Sequence, residues 1–356
     1  MRKKIAILGS TGSIGQSTLD VIKKRKNEFD VVLLTANNNY KKLIKQAKEI
    51  KAKNVLIKNK TLLNKVKKGL KNNSTKVFSG DFSIKKITNK KLDYTMSSIV
   101  GIAGLQPTID AIKNSKTVAI ANKESIICAW DLLLKEVKKN KTKILPVDSE
   151  HFSIMELTKG IEDSEVEEIL ITASGGPFLN LPINKLKRVK PNEAVKHPNW
   201  KMGKKISTDS ANLMNKVFEV IEACKIFNFN SKKYRVVIHP QSYVHSIIRF
   251  KNGLIKMILY NTDMKIPISN TLFGKKNEFL NVKKINTKIF NKNSFFDVNK
   301  KRFPSIELIK KILNSGSSTP TIVNASNEVL VDLFLRNKIG FLDIVKTINK
   351  IFKDKE

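Results

Sequence analysis

Short hydrophobic runs alternate with amphipathic stretches through the first 150 residues of the chain. Apolar positions recur every three to four residues over 16–26 and 40–50, which predicts helices. The runs between such stretches are short and rich in β-branched residues, which predicts strands at 3–9, 30–36, 54–57, 93–100, 116–121 and 143–148. Strands that alternate with helices in this way predict an α/β fold with a doubly wound, Rossmann-type parallel sheet.

The hydrophobic pattern changes after residue 150. A strand is predicted at 168–176 and a helix at about 209–226, and the runs YVHSIIRF and LIKMILY predict a hairpin around the turn KNG. These elements indicate an α+β region. From Pro304 onward the chain has helical spacing again, which predicts a small helical domain. We therefore divide the chain into a first domain at 1–147, a second at 148–268, a linker at 269–299 and a helical domain at 300–356.

Basic residues are in large excess, with 67 Lys and Arg against 31 Asp and Glu and a formal net charge of +36. A nucleic-acid-binding protein would concentrate this charge on one face, whereas these lysines are spread along the whole sequence. We interpret them as solvated faces and expect no nucleic-acid partner, although a positive field favours anionic small substrates.

The apolar runs and the cysteines bear on the compartment. No run approaches the ~18 apolar residues that a membrane-spanning helix needs. The two cysteines, Cys128 and Cys224, are too few for a disulfide framework, and the first predicted strand leaves no room for a targeting segment before it. We expect a soluble cytoplasmic protein with no membrane partner.

A glycine-rich turn follows the first predicted strand. Gly9, Gly12 and Gly15 are spaced G-x-x-G-x-x-G and lead directly into a predicted helix. This order predicts a dinucleotide site, because glycines let the backbone approach a pyrophosphate and the helix N-terminus offers free N–H groups. A tight turn without a ligand is the alternative.

The end of the second predicted strand bears on the choice between NAD and NADP. An NAD site normally has an Asp or Glu there, which binds the ribose 2′-hydroxyl. This chain has Asn37, Asn38 and Asn39, whose amides can donate to a 2′-phosphate. The sequence favours NADP, and the lack of Arg or Lys at these positions predicts a modest margin over NAD. An Asn-rich turn without a role in binding is the alternative.

Two carboxylates, those of Asp148 and Glu150, follow the last predicted strand of the first domain. If the backbone stays extended, both side chains point the same way at the carboxyl edge of the sheet. Paired carboxylates without a neighbouring cysteine suit Mg²⁺ or Mn²⁺. An Asp N-cap before an acidic first helical turn is an equally weighted alternative.

The predicted helix at 209–226 carries a polar stripe at helical spacing. Its members are Asn212, Asn215, Lys216 and Glu219. The stripe is either a solvated face or the wall of a site that has a phosphate-binding Lys, amide donors and a third carboxylate.

Polar residues also occur in two predicted loops of the second domain. Ser174 lies in a Gly-rich turn that can present its hydroxyl and backbone N–H groups to an anion. The loop with His197 and Trp200 is a candidate lid. His239 and His245 lie in strand-like runs, so we interpret them as structural.

Taken together, these runs resemble one family, the 1-deoxy-D-xylulose 5-phosphate reductoisomerases. They occur in the order of that family and cover nearly the whole chain: GSTGSIG (9–15), IVGIAGLQPT (99–108), ANKES (121–125), LPVDSEH (145–151), ASGGPF (173–178), KHPNWKMGKKIS (196–207), DSANLMNKVFE (209–219) and HPQSYVHS (239–246). The resemblance implies an NADP-dependent oxidoreductase of isoprene biosynthesis by the non-mevalonate pathway. It implies an enzyme that converts the phosphorylated sugar 1-deoxy-D-xylulose 5-phosphate to 2-C-methyl-D-erythritol 4-phosphate. NADPH is the implied reductant, and a bound Mn²⁺ or Mg²⁺ is implied to assist the reaction. We also expect a homodimer.

The resemblance assigns roles to individual residues, with NADPH in the first domain and the catalytic, metal-binding site in the second. The residues implied to bind NADPH are Thr11, Gly12, Ser13, Ile14, Asn39, Asn122, Glu124 and Gly203. We add Asn37 and Asn38 to this set because they follow the second predicted strand. The implied metal ligands are Asp148, Glu150 and Glu219, which together with Lys123 and His197 are the implied catalytic residues. The implied substrate contacts are Lys123, Ser149, Glu150, Ser174, His197, Ser210, Asn215, Lys216 and Glu219, with Ser174, Ser210, Asn215 and Lys216 around the phosphate. Trp200 and Met202 are implied to lie on a flexible flap.

The chain departs from the family pattern in three places. Asn37 and Asn38 replace a Gly followed by a basic or small polar residue. Phe152 and Glu156 replace a small or polar residue and a Gln, and we expect both to face away from the metal. The chain also stops at Glu356, sooner than is usual in the family, so we expect a shortened C-terminal helical domain.

Two other functions are compatible with parts of the sequence. A semialdehyde-type NADP oxidoreductase can share the glycine turn, but it needs a nucleophilic cysteine, and both cysteines here lie in apolar helical contexts. A basic nucleic-acid-binding protein would bind DNA or RNA in a salt-sensitive way and would not depend on a pyridine nucleotide.

Overall fold

The computed structural model describes residues 2–81, 83–88, 90–200, 202–274, 282 and 285–353. The chain divides into two compact units. Unit 1 consists of Met1–Asp148 with Met264–Val282, and unit 2 consists of Ser149–Asp263 with Lys283–Glu356. The units are defined by contacts, and the four-part division into domains stays a prediction. Parts of the predicted linker (275–281, 283 and 284) and of the predicted helical domain (354–356) lie outside the described residues.

A parallel sheet forms the centre of unit 1. Its strands are β1 (Lys3–Leu8), β2 (Phe29–Ala36), β3 (Asn54–Ile57), β4 (Lys76–Ser79), β5 (Tyr94–Ser97), β6 (Thr117–Ile120) and β7 (Lys143–Pro146). The strand order is β4-β3-β2-β1-β5-β6-β7, and every neighbouring pair is parallel. The predicted doubly wound sheet is confirmed. Strand β4 was not predicted, because KVFS is short and has only two apolar residues.

Helices follow the strands of unit 1 and cover the sheet. They are α1 (Ser13–Lys23), α2 (Tyr40–Ile50), α3 (Leu63–Gly69), α4 (Leu105–Asn114) and α5 (Lys123–Asn140). The core joins Ile5 and Ile7 of β1, Leu34 of β2 and Leu19 and Ile22 of α1. Strand β2 is buried at nearly every position, as expected for a strand with both faces covered.

Unit 2 contains a second sheet. Its strands are β8 (Val166–Ala173), β9 (Tyr234–Ile238), β10 (Val244–Phe250), β11 (Ile255–Leu259) and β12 (Phe296–Asp297), in the order β11-β10-β8-β9-β12. Strands β10 and β11 form an antiparallel hairpin, which confirms that prediction. Its first helices are α6 (Ser149–Leu157), α7 (Pro191–Ala194), α8 (Lys204–Ala211) and α9 (Met214–Ile226).

One local prediction in unit 2 is wrong, and one open alternative is decided. The helix predicted at 209–226 is two helices, because Leu213 takes a left-handed conformation (φ 60°) and the Asn212 side chain accepts from the Met214 N–H at 3.0 Å. The backbone does not stay extended through Glu150, because α6 begins at Ser149. Glu150 then lies in the first helical turn, where the helix dipole favours an acidic residue.

The chain returns to unit 1 after the hairpin. Helix α10 (Lys265–Phe273) places Ile268 and Leu272 in the core that contains Leu19. The Thr271 hydroxyl lies 3.0 Å from the Tyr94 hydroxyl. This return could not be read from the sequence, because local periodicity does not say which core a helix joins.

The remaining helices belong to unit 2. They are α11 (Glu307–Leu313), α12 (Thr319–Leu335) and α13 (Phe341–Lys353), in agreement with the helical spacing after Pro304. Phe341 packs edge-on against Phe178, and the Asn327 amide donates to the buried Asp209 carboxylate at 2.8 Å. Among the described residues, no helix is long and apolar enough to cross a membrane.

Candidate active site

The glycine turn of unit 1 has the geometry of a nucleotide-binding turn. Gly9 has φ +80°, and a Cβ at this position would lie 2.8 Å from the Ser98 carbonyl oxygen. A Cβ on Gly15 would lie 2.4 Å from the Gly9 carbonyl oxygen, so α1 packs directly onto the turn. Gly12 precedes α1, and no side chain caps the first turn. The N–H groups at this N-terminus are therefore presented to an anion.

The loop after β2 is ordered by its own amides. Asn39 caps α2, because its Oδ1 accepts from the Lys42 N–H at 3.2 Å. The Asn38 Oδ1 accepts from the Asn59 amide of the next loop at 3.0 Å. Asn37, Asn38 and Asn39 are all exposed at the carboxyl end of β2, where the sequence predicts the 2′-phosphate.

The start of α5 gathers three more of the predicted residues in unit 1. Asn122 is buried and caps α5 by accepting from the Ser125 N–H at 2.7 Å, and its amide donates to the Gly101 carbonyl at 2.9 Å. Glu124 is also buried. The Lys123 ammonium lies 3.0 Å from Asp148 Oδ2. Asn122 thus holds the loop at 99–101, and Lys123 pairs with a predicted metal ligand.

A buried charged cluster joins α6 and α9 in unit 2. The Lys216 ammonium contacts a Glu150 carboxylate oxygen and lies 2.6 Å from Glu219 Oε2. The Asn215 amide donates to Glu219, and the Ser149 hydroxyl donates to Glu150 at 2.5 Å. All five residues are at most 8% exposed. The solvated-face interpretation of the polar stripe is therefore wrong for Asn215, Lys216 and Glu219.

Lys216 stays charged in spite of its burial. Burial by itself lowers the pKa of this ammonium, but the Glu150 and Glu219 carboxylates outweigh that effect and raise the pKa above its usual range. Two carboxylates and one ammonium leave one net negative charge in a buried place. Such a cluster suits a divalent cation on the carboxylate side and an anion at the ammonium.

Three polar residues that sequence reasoning assigned no role hold this cluster in position. The Tyr260 hydroxyl donates to the Ser149 carbonyl at 2.8 Å, and the Ser246 hydroxyl donates to the Glu150 carbonyl at 3.0 Å. The His151 Nε2 lies 2.8 Å from the Glu219 carbonyl oxygen. His151 and Ser246 lie within the family-like runs, but only their tertiary contacts reveal what they do.

Ser174 and His197 form a second polar pair in unit 2. His197 Nδ1 accepts from the Asn199 and Trp200 N–H groups at 3.1 and 3.0 Å, so its ring proton lies on Nε2, which is 3.0 Å from Ser174 Oγ. Burial, and then the charge of Lys216, lower the pKa of His197 to about 4. The imidazole is therefore neutral at physiological pH, and it donates to Ser174.

Ser210 lies next to this pair. Gly176 has φ +66°, and a Cβ there would lie 2.8 Å from the Ser210 carbonyl oxygen, so the Gly-rich loop rests directly on α8. The Gly176 N–H donates to Ser174 Oγ at 3.1 Å. Unit 2 therefore brings Ser174 and His197 together beside Ser210, and Ser149, Glu150, Asn215, Lys216 and Glu219 together in the cluster.

The other predicted positions have more ordinary surroundings. Gly203 begins α8 in unit 2, while Thr11, Ser13 and Ile14 lie in the turn of unit 1 and its helix. Phe152 packs edge-on against Tyr260, and Glu156 pairs with Lys159. His239 and His245 are buried, and their rings stack on Phe295 and Tyr260. Lys201, inside the predicted lid, lies outside the described residues.

The cysteines do not fit the semialdehyde-type alternative. Burial raises the pKa of the Cys224 thiol to about 12, so it carries almost no thiolate near neutral pH. Cys128 is partly buried within α5, and neither cysteine forms a disulfide. Neither cysteine therefore fits the role of a catalytic nucleophile.

Family models match most of the chain. Residues 5–130 match the model described as 1-deoxy-D-xylulose 5-phosphate reductoisomerase. Residues 144–227 and 259–356 match two models described as C-terminal domains of the same enzyme.

Relatives and solved structures agree with these models. The 1-deoxy-D-xylulose 5-phosphate reductoisomerase of Pelagibacter ubique is 50% identical over 98% of this chain and 90% of its own length, and that of Wolbachia pipientis wMel is 42% identical over 97% and 89%. The structure of the Zymomonas mobilis enzyme in complex with NADPH has a TM-score of 0.91 and 37% identity, over 99% of this chain and 92% of that one. A reductoisomerase structure with NADPH, fosmidomycin and magnesium has a TM-score of 0.92 and 33% identity, over 99% and 90%. The chain therefore belongs to the 1-deoxy-D-xylulose 5-phosphate reductoisomerase family.

Proposed function

We propose that this protein converts 1-deoxy-D-xylulose 5-phosphate to 2-C-methyl-D-erythritol 4-phosphate with NADPH and a divalent metal, as a step of non-mevalonate isoprenoid synthesis. Relatives of this name align over nearly the whole chain, and similar structures contain NADPH and magnesium. The observation that carries the proposal is the buried cluster in which Lys216 contacts both Glu150 and Glu219. Its charges match a phosphorylated substrate and a divalent ion.

The phosphate group of the substrate binds Ser174, Ser210, Asn215 and Lys216. Ser174 Oγ already accepts from the His197 ring and the Gly176 N–H, so its own proton is available to a phosphate oxygen. Lys216 contributes a charge-assisted hydrogen bond in a partly desolvated place, and such bonds are stronger than those between neutral groups. His197 positions Ser174 and connects it to the backbone of the flap residues Asn199 and Trp200.

Asp148, Glu150 and Glu219 are the metal ligands in this proposal. Glu150 and Glu219 share one buried cluster, and Asp148 precedes Glu150 by two positions, so chain geometry alone keeps their Cα atoms within ~7 Å. The donors are all carboxylate oxygens, which fit Mg²⁺ or Mn²⁺. Lys123 faces Asp148 and is a substrate contact.

NADPH binds the carboxyl edge of the sheet in unit 1. The close backbone approach at Gly9 and Gly15 and the uncapped N-terminus of α1 fit a pyrophosphate. The exposed amides of Asn37 and Asn38 lie where the adenosine ribose is expected, and no acidic residue follows β2 there. Thr11, Gly12, Ser13, Ile14, Asn39, Asn122, Glu124 and Gly203 complete the proposed set.

The residues of the chain orient the reactants and exclude water. When bound, NADPH supplies a hydride and the divalent ion stabilises negative charge on the substrate oxygens. Lys216 and Ser174 fix the phosphate end of the substrate, which restricts how its carbon skeleton can lie. Lys123 contributes a positive charge next to Asp148. Trp200 and Met202, on the flap, shield the reactants from solvent.

A spectrophotometric assay tests this function. Purified protein should consume NADPH, followed at 340 nm, only when 1-deoxy-D-xylulose 5-phosphate and Mg²⁺ or Mn²⁺ are both present. The product should be identified by mass spectrometry as 2-C-methyl-D-erythritol 4-phosphate. If no metal supports NADPH consumption with this substrate, the proposed function is wrong.

We also propose a homodimer in the cytoplasm. The edge strand β11 and the turn before it expose Leu254, Ile255 and Met257, a row of apolar side chains that suits pairing with a second copy. Neither of the two cysteines forms a disulfide, which suits a reducing compartment. Light scattering should give twice the chain mass for the wild type and a smaller mass for Ile255→Lys/Met257→Lys. A wild type that is monomeric at micromolar concentration would exclude the dimer.

A further inference from the structure

The loop after β3 lies directly beside the asparagines that follow β2. The two strands are parallel neighbours, with Ala36 opposite Ile57. The ladder continues past the strand ends, because the Lys58 N–H donates to the Ala36 carbonyl at 2.8 Å and the Asn59 N–H donates to the Asn37 carbonyl at 3.3 Å. The segment Lys58-Asn59-Lys60, hereafter the β3 loop, therefore shares one surface with Asn37 and Asn38.

The amide orientations in this surface are fixed by a chain of hydrogen bonds. Asn59 Oδ1 accepts from the Thr61 N–H at 3.0 Å, and a backbone N–H can only donate. The Asn59 NH₂ group must then face Asn38, and it donates to Asn38 Oδ1 at 3.0 Å. The Asn38 NH₂ group consequently points away from Asn59, and it is not bonded to any residue that the structure describes. Asn38 thus presents a donor at the end of β2.

Two lysines of the β3 loop adjoin Asn59, the residue that orients this donor. Lys58 and Lys60 are both exposed, and Lys58 forms a surface ion pair with Asp81, whose side chain is 90% exposed. The carbon stem of Lys60 lies over Gly80, since a Cβ there would be 2.6 Å from Lys60 Cε. Exposed ion pairs contribute little free energy, so Lys58 can exchange Asp81 for a stronger anion.

We propose that Lys58 and Lys60 supply the positive charge for the 2′-phosphate of NADPH, with the Asn38 amide as the neutral donor. The inference rests on the proposed use of NADPH and names the residues that select it over NADH. A 2′-phosphate carries a charge of about −1.5 to −2 near neutral pH, which an amide alone does not balance. The cation missing at positions 37–39 is thus provided by the neighbouring strand, and the margin of NADPH over NADH is larger than Asn37 and Asn38 by themselves predict.

Calorimetric titration with 2′,5′-ADP and 5′-ADP tests this assignment without turnover. Lys58→Ala/Lys60→Ala should weaken 2′,5′-ADP binding by ~10-fold or more, because charged hydrogen bonds are lost, and should leave 5′-ADP binding unchanged. The matched control is Lys67→Ala/Lys68→Ala, which removes the same charge from exposed positions of α3 and should change neither affinity.

A variant that is expected to strengthen 2′,5′-ADP binding extends the test. Asp81→Asn removes the acid that competes for Lys58, so it should tighten 2′,5′-ADP binding by ~2-fold or more at low salt, and less at high salt. Asn38→Asp replaces the donor by a carboxylate, so it should weaken 2′,5′-ADP and leave 5′-ADP nearly unchanged.

The outcomes separate this inference from the proposed function. If the wild type prefers 2′,5′-ADP and Lys58→Ala/Lys60→Ala keeps that preference, or loses it no more than the control does, the two lysines are not the phosphate site. NADPH use would still stand in that case. If the wild type does not prefer 2′,5′-ADP over 5′-ADP at all, both this assignment and the NADPH preference are wrong.

Discussion

The glycine turn of unit 1 and the charged cluster of unit 2 are two kinds of candidate binding site in one chain. The turn is made of backbone, and its geometry depends on what is missing at Gly9 and Gly15, where a Cβ would lie within 2.8 Å of other backbone atoms. The cluster is made of side chains, and it depends on Glu150 and Lys216, which lie 66 positions apart in the sequence. A backbone site can therefore be read from local spacing, whereas a side-chain site needs the tertiary fold.

Substitutions in the turn and in the cluster are expected to have different effects. A side chain added to the turn must displace backbone, so we expect it to alter folding and nucleotide binding together. A charge removed from the cluster leaves its shape nearly unchanged but unbalances buried electrostatics. Variants of the cluster should accordingly separate metal binding, substrate binding and nucleotide binding from one another.

The largest effect is expected from Glu219→Gln, which keeps the side-chain volume and removes a charge. Loss of a metal ligand should lower kcat by about 100-fold or more, since even residues behind the ligands commonly contribute 10–100-fold. NADP⁺ affinity, which depends on unit 1, should change little. Steady-state kinetics and nucleotide titration check both parts. Full activity with ordinary metal dependence would show that Glu219 is not a ligand.

Lys216→Met should mainly affect substrate binding. Loss of a charged contact to the phosphate should raise KM for the sugar phosphate by ~10–100-fold and leave KM for NADPH nearly unchanged. Met retains the carbon stem, but Glu150 and Glu219 lose their counter-charge and repel each other. Added Mn²⁺ should therefore raise the Tm of this variant more than that of the wild type. An unchanged substrate KM would remove Lys216 from the phosphate site.

The turn is tested by two alanine variants that differ in the space available. A Cβ on Gly15 lies 2.4 Å from the Gly9 carbonyl oxygen, whereas a Cβ on Gly12 lies 3.4 Å from it. Gly15→Ala should lose about 1–3 kcal/mol of unfolding free energy and weaken NADP⁺ binding. Gly12→Ala should melt close to the wild type in the absence of nucleotide. Equal urea midpoints for the two variants would contradict the packing argument.

The smallest effect concerns the protonation of His197. Its pKa in the folded protein is about 4, below the 6.5 of a free imidazole, so the unfolded chain binds its proton first as the pH falls. The stability linked to His197 is therefore complete above pH 6.5 and is lost as the pH falls towards 4. Histidine NMR, assigned with His197→Gln, should show no titration of this ring near pH 6.5. A midpoint there would mean that His197 is more exposed and charged than the structure indicates.

The sequence predicted the sheet of unit 1 well, because parallel strands covered on both faces are short apolar runs between amphipathic helices. It could not predict that α10 returns to unit 1, since local periodicity does not identify the partner core. It also could not decide between a solvated stripe and a site wall at Asn215, Lys216 and Glu219. All of Met214–Ala223 is buried, so the helix is covered on every side and its periodicity does not distinguish the faces.

Resemblance to a family supplied what the pattern left open at the candidate site. The spacing of Asp148 and Glu150 was equally compatible with a pair of metal-binding carboxylates and with the start of a helix. The structure shows a helix that starts at Ser149. That outcome does not remove the carboxylate from the site, because the first turn of α6 directs Glu150 to Lys216. The supporting residues Tyr260, Ser246 and His151 had no signal in local spacing, since each acts on a backbone carbonyl of another segment.

Manganese binding followed by electron paramagnetic resonance tests the central claim most directly, namely that Glu150 and Glu219 form a cation site independent of the nucleotide turn. Titration of the wild type should deplete the signal of free Mn²⁺. Glu150→Gln and Glu219→Gln should each lose this binding and keep NADP⁺ affinity, while Glu156→Gln, a carboxylate of the same helix α6 that pairs with Lys159, should bind Mn²⁺ as the wild type does. Equal Mn²⁺ binding by the wild type, Glu150→Gln and Glu219→Gln would contradict the account.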